Sequence, residues 1–335
     1  MGPMSSSAPV RLMLLDTASL YFRAFHGLPD SIRTPDGRPV NAVRGLLDFI
    51  ARLVTDHSPS HLAACWDNDW RPQWRVDLLA SYKTHRVAEP APLAERAERA
   101  EPSVIGAGGV GADSGVAEES PDGLSHQVPW IVDTLTALGV AIVGADGFEA
   151  DDVIASLAAQ TEVPCDVVTG DRDLFQLVDD AQGARILYTA RGMSNLQLVD
   201  NAWVQQKYGI SARHYADFAA LRGDTSDGIP GVPGIGEKTA AGLVNAFGDL
   251  ESMIEAALDP DSAMTGTQRK RFDQAADYLA VAGEVVRVRR DLDLGVRLPD
   301  LQLPTRPADP ERFAELTERL ALGSSAERVL AALGR

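Results

Sequence analysis

Between Gly147 and Asp173 the chain reads GFEADDVIASLAAQTEVPCDVVTGDRD, with Glu149, Asp151 and Asp152 near its start and Asp171 and Asp173 at its end. Val153, Ile154, Leu157 and Ala158 recur with helical spacing, so the first three carboxylates open an amphipathic helix. Acidic residues in a first turn are also what the helix macrodipole favours, and capping is the ordinary reading of one or two of them. Capping does not account for the second pair. The run Cys165-Asp166-Val167-Val168-Thr169 reads as a short buried strand, and it ends directly at Gly170-Asp171-Arg172-Asp173. In an open parallel sheet, ligand chemistry sits at the carboxyl ends of the strands. The stretch therefore points to an acidic metal site.

Other carboxylates stand in similar places. Arg11 to Leu15 (RLMLL) reads as a first buried strand leading to Asp16, and His61 to Trp66 (HLAACW) as a second leading to Asp67. A lone strand-end aspartate is as readily a turn former. Two of them feeding the same site as Glu149 and Asp171 make coincidence the weaker account. Asp224 and Asp227 add a third pair, in LRGDTSDGIPGVPGIGEKTA. Gathering Asp16, Asp67, Glu149, Asp151, Asp152, Asp171, Asp173, Asp224 and Asp227 without counterions would be costly through repulsion and raised pKa values. An oxygen-only donor set, without His or Cys, selects a hard cation, Mg²⁺ or Mn²⁺. Two such ions roughly 4 Å apart can activate a water and stabilise the leaving oxygen of a phosphodiester. That chemistry requires no Ser/His nucleophile.

The elements that must position these groups are legible in the pattern. Helical periodicity covers Pro39 to Asp56, Val128 to Leu138 and Asp200 to Tyr208, and Val140 to Val143 reads as a strand entering the acidic stretch. Arg185 to Tyr188 and Leu196 to Val199 read as a hairpin closing the sheet. Beyond them the chain is helical: Thr239 to Phe247, Leu250 to Leu258, Gln268 to Ala282, then two helices ending at Leu333. Trp70 to Arg86 interleaves Arg71, Arg75, Lys83 and Arg86 with Trp70, Trp74 and Tyr82, which suits stacking and phosphate contact, or else a solvated amphipathic helix. The glycines at 231–236 precede a helix, where backbone N–H groups can bind a phosphate.

At 335 residues, 45% of them hydrophobic, the chain suits one large α/β unit with a smaller appendage. No run approaches a membrane span and no segment has signal-peptide form. Cys65 and Cys165 adjoin apolar strand-like runs and suit buried free thiols in a reducing compartment, so a cytoplasmic protein is expected. The net charge of −17 argues weakly against a nucleic-acid partner. Residues 88 to 126 hold eight of the acidic residues against two arginines, and bound cations would offset more. Ala, Glu, Pro, Gly and Ser dominate 88–125, the composition of a flexible insertion rather than a domain, and 1–9 reads as a flexible lead-in.

The stretches LLDTASLYFRAFH, CWD, YKTHR, GFEADDVIASLA, TGDRDLFQL and GDTSDGIPGVPGIGEKTA, in this order and spacing, resemble the 5′ nuclease (flap endonuclease) superfamily. The likeness is specifically to the N-terminal 5′-nuclease domain of bacterial DNA polymerase I and its stand-alone relatives. It extends over nearly all of residues 10 to 335 apart from the insertion, and a free-standing member is expected. The resemblance implies a central twisted, mostly parallel sheet flanked by helices over 10–200. It also implies a helical part over 201–335 with a helix–two-turn–helix element near 224–247. Asp16, Asp67, Glu149 and Asp151 match a first metal site, and Asp171, Asp173, Asp224 and Asp227 a second, with Asp152 between them. Lys83 and Arg86 match basic residues that contact the scissile phosphate. Arg23, Phe25, His26 and Tyr82 match positions on the DNA path. Gly231, Gly234, Gly236 and Lys238 match the hairpin that holds duplex backbone, with K⁺ held at Val232 and Ile235.

The implied activity is divalent-metal hydrolysis of DNA bearing 5′ flaps, nicks or 5′ ends, RNA-primed ends included, by a monomer acting in replication and repair. A PIN-type ribonuclease also uses clustered carboxylates, and a non-catalytic junction-binding module would keep the same fold. A Toprim-type site would explain Asp171 and Asp173 but leave Asp16, Asp67, Asp224 and Asp227 idle. Two departures from the family pattern stand out: Gly228 where Asn is common after the second Asp of the third pair, and the long, acidic, Gly-rich segment after Arg86.

Overall fold

The structure, a computed structural model, describes residues 10–87 and 123–334. The expected lead-in at 1–9 and the insertion up to 122 lie outside the described residues. Strand β1 (Leu12–Asp16) is buried along its length. Leu12 and Leu14 enter one hydrophobic core while Met13 and Leu15 enter another. Such an unbroken apolar strand is what a sheet covered on both faces requires. Strands β2 (His61–Trp66) and β4 (Cys165–Thr169) pair in parallel with β1 on its two sides. Outside them lie β3 (Ala141–Gly144) and β5 (Arg185–Tyr188), also parallel, and β6 (Gln197–Val199) closes the edge antiparallel to β5. The order is β3-β2-β1-β4-β5-β6. The chain thus leaves β1 in one direction and returns on its other side, making a switch point between β1 and β4.

Helices α1 (Thr17–Gly27), α2 (Asn41–His57) and α3 (Gln73–Leu78) precede the insertion, and α4 (Gln127–Leu138) and α5 (Ala150–Gln160) come after it. The helical part holds α6 (Asn201–Tyr208), α7 (Tyr215–Arg222), α8 (Glu237–Phe247), α9 (Leu250–Leu258), α10 (Gly266–Gln274) and α11 (Ala276–Val286). Its apolar faces join α5 over one side of the sheet. The single helix expected over Gln268 to Ala282 is broken at Ala275, letting Phe272 and Leu279 reach the same core. The last helices, α12 (Pro310–Arg319) and α13 (Ser324–Leu333), return to the other face, where Leu316 and Val329 share a core with Ile50 and Leu135. Arg328 pairs there with Asp48 at 2.8 Å and Arg312 with Asp133 at 3.1 Å.

Candidate active site

The switch point decides where the chemistry collects. β1 ends on Asp16, β2 leads directly to Asp67, and β4 runs through Gly170 to Asp171, so these neighbouring strands present three carboxylates at one edge. The N-terminus of α5 adds Glu149 and Asp151. All five line a cleft of about 1030 Å³ together with Asp224, Lys83, Arg86 and Arg172. Another cleft, of about 1150 Å³ and lined by α7, α9 and α11, holds none of the candidate carboxylates.

Local hydrogen bonds hold the acids in place. Asp16 caps α1 by accepting from the Ser19 N–H at 3.1 Å and accepts from the Thr169 hydroxyl at 2.6 Å, tying β1 to β4. Asp67 accepts from the Ala150 N–H at 2.8 Å, joining β2 to the start of α5. Asp171 accepts from the Asp173 N–H at 2.9 Å. Asp224 accepts from the Ser226 N–H at 2.8 Å and faces Arg172 at 3.2 Å and Arg222 at 3.4 Å.

Electrostatics separates the acids into two kinds. Burial pushes the Asp16 carboxyl up to about 7, with Asp67 and Asp171 adding repulsion. Burial likewise raises Asp67, where Glu149 and Asp152 add repulsion. It raises Asp151 too, beside Asp171 and Asp16. Asp173 is raised by burial and then by Asp171, Asp227 and Asp224, and Asp227 by burial and by Asp171. Asp173 and Asp227 are not among the residues that line the cleft; Asp227 stands beside it, paired with the cleft residue Arg86 at 2.7 Å. Glu149 is the opposite case. Burial would raise its carboxyl, but Lys83 and Arg75 outweigh that and hold it below the usual range. Asp224 is lowered as well, the Ser226 hydrogen bonds and the two arginines prevailing over burial.

The residues present fit a hard divalent ion. All donors are oxygens, and Asp173 Oδ1 is buried with no hydrogen-bond partner. The raised carboxyls mark where positive charge would be most stabilising. Among the described residues no three acidic, His or Cys side chains converge as a ready-made cage. Several of the carboxylates are instead turned toward protein cations: Glu149 toward Lys83 and Arg75, and Asp227 toward Arg86 at 2.7 Å.

Asp152, Tyr82 and Phe25 also stand off the cleft wall. Asp152 is fully buried in a fork with Arg75 at 2.8 and 2.9 Å and accepts from the Arg289 N–H at 2.8 Å, so it faces the protein interior and not the cleft. Tyr82 is 4% exposed and donates its hydroxyl to Glu149 at 2.6 Å, leaving no ring face for a strand. Phe25 packs edge-on against His26 and does not line the cleft, whereas Arg23 and His26 do. The segment 70–86 is not a solvated helix, and of its aromatics Trp70 lines the cleft with Lys83 and Arg86 while Tyr82 is buried. Its Arg75 is 2% exposed and braces Glu149, Asp152 and the Val285 carbonyl. Sequence reasoning also missed Phe22, Phe49 and Arg172 on the cleft wall. Only Arg172, between Asp171 and Asp173, carried a signal by position.

Beyond the cleft, the turn leading to α8 is shaped by glycine. Gly231 (φ +67°) lies so close to the 222–223 backbone that a Cβ would meet it at 2.6–2.7 Å, and Gly234 (φ +77°) lies beside the Arg271 guanidinium. Gly236, at the start of α8, has open space around it, and Lys238 is exposed on the first turn. Val232 and Ile235 are buried, their side chains have no donor atom for a cation, and the Val232 carbonyl accepts from the Ile235 N–H at 2.9 Å.

Known proteins resemble the chain along most of its length. The family model for the 5′-3′ exonuclease N-terminal resolvase-like domain matches residues 11–209, and that for the 5′-3′ exonuclease C-terminal SAM fold matches 210–310. A 5′-3′ exonuclease of Streptomyces coelicolor is 55% identical over 323 residues, 96% of this chain and 99% of its own. A 5′-3′ exonuclease of Mycobacterium tuberculosis is 46% identical, over 96% of this chain and 97% of its own. The DNA polymerase I of Mycobacterium leprae is 33% identical over 96% of this chain but only 31% of its own length. Among solved structures, T5 5′-exonuclease with bound zinc ions superposes at a TM-score of 0.58 with 15% identity, covering 96% of this chain and 98% of that one. The catalytic core of Rad2 in complex with a DNA substrate does so at 0.56 with 15% identity, over 97% and 93%.

Proposed function

The chain belongs to the 5′-3′ exonuclease family, and from that premise we propose that it is a divalent-metal-dependent, structure-specific 5′ nuclease acting on DNA with 5′ flaps, nicks or 5′ ends. The observation that carries this reading is the row of carboxylates at the ends of β1, β2 and β4, facing Lys83 and Arg86 across one cleft. Asp16, Asp67, Glu149 and Asp151 would hold one metal; Asp171, Asp173, Asp224 and Asp227 would hold another. Mg²⁺ or Mn²⁺ bound there supplies Lewis-acid activation of water and charge stabilisation at the leaving oxygen. Lys83 and Arg86 meet the scissile phosphate, their positive charge placed where negative charge develops. Arg23 and His26 line the way in.

Gly231, Gly234, Gly236 and Lys238 receive a duplex phosphate at the start of α8, with K⁺ held by the main-chain oxygens of Val232 and Ile235. Removal of RNA-primed ends and displaced flaps in replication and repair is the role this site suits, as a monomer in the cytoplasm. Two buried free thiols agree with that compartment, and no described helix is long and apolar enough to cross a membrane. The ribonuclease, junction-binding and Toprim readings have no observation that favours them. The test is cleavage of end-labelled flap, nicked and single-stranded DNA with Mg²⁺ or Mn²⁺ and with chelator. Metal-dependent products from flaps and nicks are expected, and activity that survives chelation, or no cleavage of any DNA, would overturn the reading.

A further inference from the structure

Asp224 faces two cations where one would balance it. Its Oδ1 accepts from the Ser226 N–H at 2.8 Å and from the Ser226 hydroxyl, while its Oδ2 meets Arg172 at 3.2 Å and Arg222 at 3.4 Å. The two arginines are held very differently. Arg222, the last residue of α7, has only 12% of its side chain exposed, and its guanidinium lies over the Phe218 ring at 5.2 Å. It is a standing counter-charge. The Arg172 side chain is 44% exposed and lines the cleft with Lys83 and Arg86. Its backbone, by contrast, is pinned. The Arg172 carbonyl accepts from the Phe175 N–H at 2.9 Å, the Asp171 N–H donates to the Thr169 hydroxyl at 2.8 Å, and the Asp173 N–H donates to Asp171 at 2.9 Å. A long side chain thus stands on a fixed turn, between two acids of the second metal set. The planar fork of a guanidinium suits a phosphate as well as a carboxylate.

We propose that Arg172 is a phosphate-binding residue that exchanges partners: it stays on Asp224 in the metal-free chain and, once Asp224 takes a divalent ion, turns into the cleft to hold a phosphate of the DNA. This rests on the reading of Asp224 as a metal ligand. Charge balance is the reason for the exchange. A carboxylate shared with a dication no longer attracts a second guanidinium, and the like charges repel. Arg222 is enclosed, with its Nη1 buried, whereas Arg172 opens onto the cleft. Two consequences of opposite sign follow from removing the Arg172 guanidinium. Asp224 loses a competitor for the metal, and the DNA loses a contact that exists only when metal is bound. An arginine that merely propped up the acidic turn would, on removal, weaken metal and DNA binding together.

The experiment uses the full chain carrying Arg172→Gln or Arg172→Lys. Affinity for nicked DNA is measured across a range of salt, in Ca²⁺ and in chelator, and Mn²⁺ binding without DNA is measured by calorimetry. In Ca²⁺, which takes oxygen donors, Arg172→Gln should bind the DNA ~10-fold more weakly, the scale of one charge-assisted hydrogen bond. Its slope of log affinity against log salt should fall by about one. In chelator the native chain and Arg172→Gln should bind alike, because Arg172 is then occupied by Asp224. Arg172→Lys keeps the charge without the fork, so it should keep the slope and recover part of the affinity. Mn²⁺ should bind Arg172→Gln at least as tightly as the native chain. An equal loss of DNA affinity in Ca²⁺ and in chelator overturns the exchange, and no loss in Ca²⁺ overturns the phosphate contact. Weaker Mn²⁺ binding by Arg172→Gln means that the arginine supports the acids, which also overturns the inference. None of these outcomes touches the reading of Asp224, which Asp224→Asn tests separately. If that variant binds Mn²⁺ with native stoichiometry and affinity, Asp224 is no metal ligand, and the inference falls with it.

Discussion

At the scale of the residue, the acids of the cleft carry opposite electrostatic burdens. Asp16 keeps its proton up to about pH 7 in the folded chain, whereas the unfolded chain releases it near 3.8. Between those values the folded state binds the extra proton, so the metal-free protein loses stability as pH rises through that interval. Asp67, Asp151, Asp173 and Asp227 are raised and act in the same sense. Glu149 and Asp224 are lowered, so their stabilisation is present above the usual carboxylate range and fades as pH falls below it. A divalent ion binds the ionised acids, so the rise in Tm on adding Mg²⁺ or Mn²⁺ should be larger at pH 8 than at pH 5 by scanning calorimetry; the reverse order would contradict the raised carboxyls. Asp151→Asn and Asp171→Asn should each abolish cleavage while duplex binding persists, and native-like turnover at saturating metal would remove them from the site. Arg75→Met leaves Glu149 and Asp152 buried without their shared counter-charge. Removing one partner from a buried pair costs on the order of 3–5 kcal/mol, so urea unfolding should show a loss of that size. A loss under about 1 kcal/mol, the range of an exposed pair, would mean the network is solvated.

At the scale of the element, position within a helix or turn separates residues of the same type. Lys83 and Lys238 are both cations of the expected DNA path, but Lys83 is buried against Glu149 and Lys238 stands exposed on the first turn of α8. Lys238→Ala should therefore weaken duplex binding and reduce the slope of log affinity against log salt by about one. An unchanged slope would mean that only the hairpin backbone meets phosphate. Arginines that follow α11 in the sequence are partly neutralised by the protein's own acids: Arg287 pairs with Asp217 at 2.7 Å and Glu251 at 2.6 Å, and Arg289 with Glu284 at 2.9 Å. Counting cations along a sequence thus overstates the positive surface this part of the chain presents.

At the scale of the whole molecule, two cores on opposite faces of the sheet hold the site from both sides, and the last two helices complete the second. All nine candidate carboxylates lie among the described residues, outside the 106–120 stretch. Deleting Gly106 to Ser120 should therefore leave cleavage of nicked DNA nearly unchanged. Loss of nick cleavage in that deletion, with the melting temperature kept, would make the segment part of the active site. The charge of −17 was a weak guide to the partner, because it sums a carboxylate cleft and an acidic insertion that act separately.

The sequence by itself determined the elements and the row of acids. Apolar runs such as RLMLL and HLAACW must be buried strands, and a parallel sheet places the residues just after such strands at one edge. Asp16, Asp67 and Asp171 were legible for that reason, and Glu149 with Asp151 from the helix that opens beside them. Tertiary structure alone decided which charges face each other. Asp151 and Asp152 are adjacent in sequence, yet one lines the cleft and the other is locked to Arg75, because successive side chains on a helix point about 100° apart. The bond of buried Tyr82 to Glu149 and the near contact of Gly228 with Ser81 join segments 67 and 147 residues apart. No local pattern encodes such a distance; only the packing that closes the cleft does.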